Sequence, residues 1–294
     1  MFGGSWTQQK LEVLSKYLRA YRLIFERNPR ARFFKITYVD AFAGTGEIPR
    51  PALKGFFKDD PDLLKGEEEF RKGSVRRALE VSPPFDHYVF IEKGAAKCKD
   101  LQAVARDFPG RDIKVINKDA NEALLEWCAQ VNTKKERAVA FLDPFGASVE
   151  WKAIKAVART ESVDLWILFP YAAINRMLVS DAMPPKAWAD RLTHIFGTEE
   201  WQKKFYSTHS WRSLIDQDKK LERVYKTADQ EQITEFFVTR LRDEFAEVAQ
   251  PGFLHNSRGS LLFVLLFAAG NAKGANAGVR IANDLLNALN KSSF

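Results

Sequence analysis

Five short apolar segments, separated by helical stretches, set the main constraint on what this chain can fold into. Ile36 to Val39, Phe85 to Ile91 (FDHYVFI), Ile113 to Asn117, Ala138 to Leu142 (AVAFL) and Val163 to Phe169 (VDLWILF) are short and rich in β-branched or aromatic residues. They read as buried strands. Helical patterns fill the intervals at Val75 to Val81, Ala95 to Phe108, Glu122 to Val131 and Trp151 to Arg159. Strand and helix alternating, with strands apolar on both faces, predict an α/β fold with a doubly wound, mostly parallel, Rossmann-like sheet. Ligands on such sheets bind outside the carboxyl ends of the strands, near the point where strand order reverses.

The flanking regions fit one domain over residues 1–294 with two insertions. Leu11, Leu14, Tyr17, Leu18, Tyr21, Ile24 and Phe25 recur at three- and four-residue steps, which predicts an amphipathic helix over Gln8 to Phe25 with Thr7 as its N-cap. Residues 47–72 are broken by Pro49, Pro51, Gly55, Pro61 and Gly66, and read as a lid or substrate loop. Ser74 is the expected cap of the helix that follows. Residues 172–250 are expected to be a mostly helical insertion, with a basic stretch through Lys219, Lys220, Arg223 and Lys226. Gly252 to Phe253 and the apolar run Leu261 to Ala268 predict closing strands joined by a hairpin. Val279 to Leu289 predicts a last amphipathic helix.

Composition narrows the function classes. Two cysteines make neither a disulfide framework nor a metal set, and the four scattered histidines show no ligand spacing. No apolar run reaches the roughly 18 residues of a membrane span. MFGGSWTQQK has no apolar signal-peptide core, so the cytoplasm is the expected location. A net charge of +7 permits binding to nucleic acid without requiring it.

The first strand runs into YVDAFAGTG. Gly44 and Gly46 allow a tight turn and let backbone N–H groups approach a ligand. Acids close four of the five strands or the loops just beyond them: Asp40, Glu92, Asp119 and Asp143. Asp40, with Ala41, Phe42 and the glycine turn, suits an amino-acid carboxylate and amine. Glu92, after the second strand, suits the two hydroxyls of a ribose. Asp119, beside the backbone of Ala120, suits an adenine amino group. That set describes S-adenosylmethionine better than a dinucleotide, because the third glycine of a pyrophosphate seat is absent. The plainer reading of each acid is a helix cap after a strand.

In this order, YVDAFAGTG, VFIE, INKDAN and AFLDPFG resemble the motifs of class I S-adenosylmethionine-dependent methyltransferases. The N-terminal helix, Gly73-Ser74, LDPFG, LFP followed by Asn175-Arg176, and the apolar segment before the last helix are similar to a bacterial family, the three-Cys-motif partner proteins. The resemblance covers most of the chain. It implies a genomic partner carrying three cysteines, similar to radical S-adenosylmethionine proteins.

The resemblance also gives DPFG a reading. Methyltransferases that act on exocyclic amines place Asp or Asn, then Pro, then an aromatic, after the fourth strand. By that likeness Asp143 accepts a hydrogen bond from the amine, Pro144 presents a carbonyl as second acceptor, and Phe145 stacks on the base. One proline rather than two departs from the adenine-N6 pattern and is similar to the D-P-F-G of transfer-RNA guanine-N2 methyltransferases. A capping Asp and a turn Pro are the alternative. The leading expectation is therefore an S-adenosylmethionine-dependent methyltransferase acting on an exocyclic amine of RNA or DNA. A second is a non-catalytic or regulatory partner of the three-cysteine protein, in phage defence. A third is a metal-dependent nuclease using Asp40, Glu92 and Asp143, for which no accompanying lysine is evident.

Overall fold

The computed structural model describes residues 5–43, 73–144, 147–212 and 220–292. Gly44, Gly46, the 47–72 segment, Phe145 and Gly146 lie outside them. In chain order the elements are α1 (Ser5–Arg27), β1 (Lys35–Asp40), α2 (residues 73–79), β2 (His87–Glu92), α3 (Ala95–Arg106), β3 (Ile113–Asn117), α4 (Ala120–Gln130), β4 (Glu136–Leu142), α5 (Trp151–Arg159) and β5 (Val163–Phe169). Then come α6 (Tyr171–Met177), α7 (Lys186–Phe196), α8 (Glu200–Phe205), β6 (Tyr206–Arg212), β7 (Lys220–Lys226) and α9 (Gln230–Glu244). The chain closes with β8 (Glu247–Val248), β9 (Gly252–His255), β10 (Leu261–Ala269) and α10 (Ala275–Ser292).

The main sheet has the order β3-β2-β1-β4-β5-β10-β8, with β9 also pairing β10. β3 through β5 are parallel, and β10 runs antiparallel to β5. The mostly parallel, Rossmann-like α/β sheet read from the sequence is thus present, and strand order reverses between β1 and β4. Strand alternation divides the core into two layers. Ile36, Tyr38, Val139, Phe141, Trp166 and Leu168 face one side, with residues from α1, α2 and α10. Val39, Ala138, Ala140, Leu165 and Ile167 face the other, with residues from α4, α5, α7 and α9. Every residue of β10 is buried, as its continuous apolar run requires. Among the described residues no helix is long and apolar enough to cross a membrane.

Four local expectations are corrected. α1 already includes Ser5, and Thr7 is buried inside it rather than capping it. Ser74 lies within α2, where its hydroxyl donates to Asp40. α4 begins at Ala120, capped by Asp119. The 172–250 segment is not simply helical: α6 to α9 are interrupted by an antiparallel ribbon of β6 and β7. Its strands carry polar side chains on both faces, so no apolar alternation marks them in the sequence.

α1 is tied to the middle of the sheet. The Tyr17 ring packs 5.1 Å from Trp166 and 5.0 Å from Phe267, centroid to centroid. Its hydroxyl donates to Asp164 Oδ2 at 3.2 Å, and the Gly270 N–H donates to Asp164 Oδ1 at 3.0 Å. Only glycine permits this closure, because a Cβ on Gly270 would sit 2.2 Å from the Val163 carbonyl oxygen. Burial pushes the Asp164 carboxyl up to about 6, against the pull of the Gly270 and Tyr17 hydrogen bonds and of Arg137.

A carboxyl raised from 3.8 to about 6 on folding binds a proton in the folded state that the unfolded chain has released. Its contribution to stability is therefore complete below the unfolded value and is lost as pH rises through the folded one. Urea unfolding of the wild type and Asp164→Asn should show the wild type losing up to about 3 kcal/mol relative to the variant between roughly pH 4 and 7. A difference that does not vary with pH would contradict the assignment.

Candidate functional site at the carboxyl edge

Three of the four acids converge where strand order reverses. The register sets Asp40, at the end of central β1, opposite Phe90 on one side and Phe141 on the other. Glu92 and Asp143 thus lie two residues further along the flanking strands, with the same side-chain parity as Asp40. The parity is that of the layer in which α1 packs. All three are buried.

Each is held differently. Asp40 Oδ1 accepts the Phe42 N–H at 3.1 Å, and Oδ2 accepts the Ser74 hydroxyl at 3.3 Å. The loop after β1 is pinned across its neighbours: the Ala41 N–H donates to the Phe141 carbonyl and the Ala43 N–H to the Ile91 carbonyl, both at 3.1 Å. Glu92 Oε1 accepts the Gly94 N–H, while its main-chain carbonyl takes the Lys118 N–H and the Asn117 amide. Glu92 Oε2 has no hydrogen bond among the described residues. Asp119 stands apart, half-exposed, with Oδ1 capping α4 through the Asn121 N–H and Oδ2 3.5 Å from Lys93 Nζ. Its capping role is real, and Ala120 is the first residue of the helix it caps.

Asp143 carries the most informative geometry. Its Oδ2 accepts from Lys10 Nζ at 2.9 Å, and the two side chains are 2% and 0% exposed. Lys10 Nζ also lies 5.2 Å from the centroid of Trp6 and 5.7 Å from that of Phe263, so two ring faces enclose the cation. Asp143 Oδ1 is equally buried and has no hydrogen-bond partner among the described residues. An unsatisfied buried acceptor costs about 1–3 kcal/mol, and in a native fold it calls for a reason. The neighbouring Tyr38 hydroxyl is likewise buried without a partner. Burial, then Asp40, then Asp143 hold it well above its ordinary range, so it stays protonated as a donor.

Sequence reading missed Lys10 and Tyr38. Tyr38 was counted as strand core. Lys10 follows Trp6 and precedes Leu14 at four-residue steps, and so occupies the apolar stripe of α1. A lysine in that stripe was the available signal. Lys10 reaches Asp143 from an element 133 residues away in the chain. Among the described residues, no group of three or more His, Cys, Asp or Glu side chains is arranged to hold a metal ion.

Removing one partner of a buried ion pair leaves an uncompensated charge, at a cost of about 3–5 kcal/mol. Lys10→Met should lower stability in guanidinium unfolding by about that much. Combining it with Asp143→Leu should recover most of the loss. Additive losses in the double variant would show that the pair is not coupled.

No family model matches the chain, and no curated protein does. Among solved structures, a Legionella pneumophila protein described by family model DUF519 aligns over 98% of this chain and 94% of its own, with 12% identity and a TM-score of 0.51. A putative methyltransferase from Escherichia coli aligns over 71% of this chain and 84% of its own, with 14% identity and a TM-score of 0.28. An rRNA methylase from Streptococcus thermophilus covers 67% and 89%, with 10% identity and a TM-score of 0.28. At 12% identity the likeness to the first of these is one of fold alone.

Proposed function

We propose that this chain is an S-adenosylmethionine-dependent methyltransferase acting on an exocyclic amine of a nucleic-acid base. The observation that carries the reading is Asp143 Oδ1, a buried acceptor without a donor beside a Lys10 that holds the other oxygen. An amine N–H is the donor that position lacks. The orphaned Tyr38 hydroxyl and the uncommitted Glu92 Oε2 support a polar ligand at the same edge.

The residues present suit S-adenosylmethionine. Glu92 would accept the ribose hydroxyls. Asp40, Ala41, Phe42, Gly44 and Gly46 would seat the methionine end, and Asp119 with Ala120 the adenine. When bound, the cofactor supplies an electrophilic methyl group. The chain's own part is positioning and electrostatics. Lys10 fixes the Asp143 carboxylate and occupies Oδ2, so Oδ1 alone meets the amine. The hydrogen bond to Oδ1 orients the amine nitrogen, and the Pro144 carbonyl is the second acceptor. Positive charge developing on that nitrogen is stabilised by the carboxylate. Phe145 would stack on the base. No covalent intermediate with the protein is needed.

Calorimetry with S-adenosylmethionine, followed by tritium transfer onto bulk RNA and DNA, tests the reading. The wild type should bind and transfer. Asp143→Asn should still bind cofactor and lose about 10²- to 10³-fold in transfer, the usual effect of removing one orienting contact. Undiminished transfer by that variant would remove Asp143 from the mechanism. Cofactor binding with no transfer by the wild type would favour a regulatory partner of a three-cysteine protein.

A further inference from the structure

The β6–β7 ribbon forms a sheet of its own and does not join the main one. An isolated two-stranded ribbon is marginal in water, so its position must be imposed at its root. The Tyr206 hydroxyl donates to the Val179 carbonyl at 2.9 Å, and the Lys226 N–H donates to the Ser180 carbonyl at 2.8 Å. Lys226 Nζ donates to Asn175 Oδ1 at 2.7 Å. These anchors follow β5 directly, and Pro170, at the end of β5, lines one small cavity with Pro144. The ribbon is therefore rooted on α6 and the turn after it, which leave the carboxyl end of β5, the strand beside β4.

Its two faces differ. Register puts Tyr206 opposite Lys226 and Thr208 opposite Val224, and on this face Tyr206 is buried and Val224 packs against the core. The other face has Ser207 opposite Tyr225 and His209 opposite Arg223, all exposed. Tyr225 is one of two large hydrophobic residues exposed among those described, at 38%. This face brings together an aromatic ring, a guanidinium, an imidazole and a hydroxyl. Glu222 lies on the opposite face. Arg223 is paired with Asp181 at 3.1 Å, but both are well exposed, and such pairs contribute little and yield readily.

We infer that the outward face of the ribbon, built on Tyr225, Arg223 and His209, binds an unpaired stretch of polynucleotide. The inference rests on the proposed reaction. A base amine in a duplex is engaged in pairing, so it can meet a buried carboxylate only after leaving the stack. The flanking nucleotides then need a surface that stacks a base and neutralises a phosphate. A ring beside a guanidinium, on a ribbon rooted in the segment that follows β5, supplies both.

The test is fluorescence anisotropy of the full chain with short random-sequence, fluorescein-labelled single strands, one arm RNA and one arm DNA. Calorimetry with S-adenosylmethionine and circular dichroism run in parallel on every protein. Tyr225→Ala should weaken binding about tenfold. Arg223→Gln should weaken it and reduce the slope of log affinity against log salt by about 0.7. Both variants should keep wild-type cofactor binding and fold. The arm that binds more tightly identifies the polymer. If the wild type binds neither polymer, or both variants bind as tightly as it does, the inference is overturned. Loss of binding in the variants, together with no methyl transfer by the wild type, upholds the ribbon as a polynucleotide surface while the proposed reaction fails.

Discussion

The ion pair between Lys10 and Asp143 is the interaction on which the candidate site depends. Two charges withdrawn from water to this degree lose solvation worth several kcal/mol each, and attraction restores it only when geometry and surroundings are good. Here a 2.9 Å contact and two aromatic faces supply those surroundings. The pair also fixes where α1 must sit, because the ammonium can reach the carboxylate only if the helix lies across the ends of β1 and β4. Tyr17, seven residues further along the same helix, makes the corresponding tie at the far end of the sheet through Asp164. The first half of α1 is thus held by two polar contacts, at Lys10 and Tyr17, and by aromatic packing of Trp6 and Tyr17.

The parity of parallel strands then determines the site. Because Asp40 is in register with Phe90 and Phe141, the next same-face positions on the flanking strands are Glu92 and Asp143. Three carboxylates are brought together with no long-range search beyond strand pairing. They do not have to be equivalent. Asp40 is committed to its own loop and to α2, Glu92 is half committed, and Asp143 is divided between a lysine and an empty acceptor position. The environment, more than the residue type, separates their roles.

Much of this was legible in the sequence, and the reasons it was not elsewhere are physical. The parallel strands were readable because burial on both faces leaves continuous apolar runs. The acids were readable because they fall at strand ends. Lys10 was hidden because its partner is 133 residues away, and no local pattern reports a contact of that span. The ribbon was hidden because its inward face carries polar residues beside Tyr206 and Val224, which leaves no regular hydrophobic period. In the sequence Asp119 suits either an adenine amino group or a helix cap, and its visible work is to cap α4. Local helix chemistry and ligand chemistry ask for the same residue at that place, and sequence alone does not separate them.

The placement of α1 bears on how the site is assembled during synthesis. α1 emerges from the ribosome early, yet the surfaces that enclose Lys10 and Tyr17 are β4, β5 and β10, the last of which is complete only at Ala269. Until then Lys10 lacks the Phe263 ring and Tyr17 lacks the Phe267 ring. Contacts of such sequence separation form late and slowly. The surroundings of the carboxylate at the centre of the site are therefore assembled from both ends of the chain, so a chain that stops short of β10 has the acid without the full enclosure of its lysine partner.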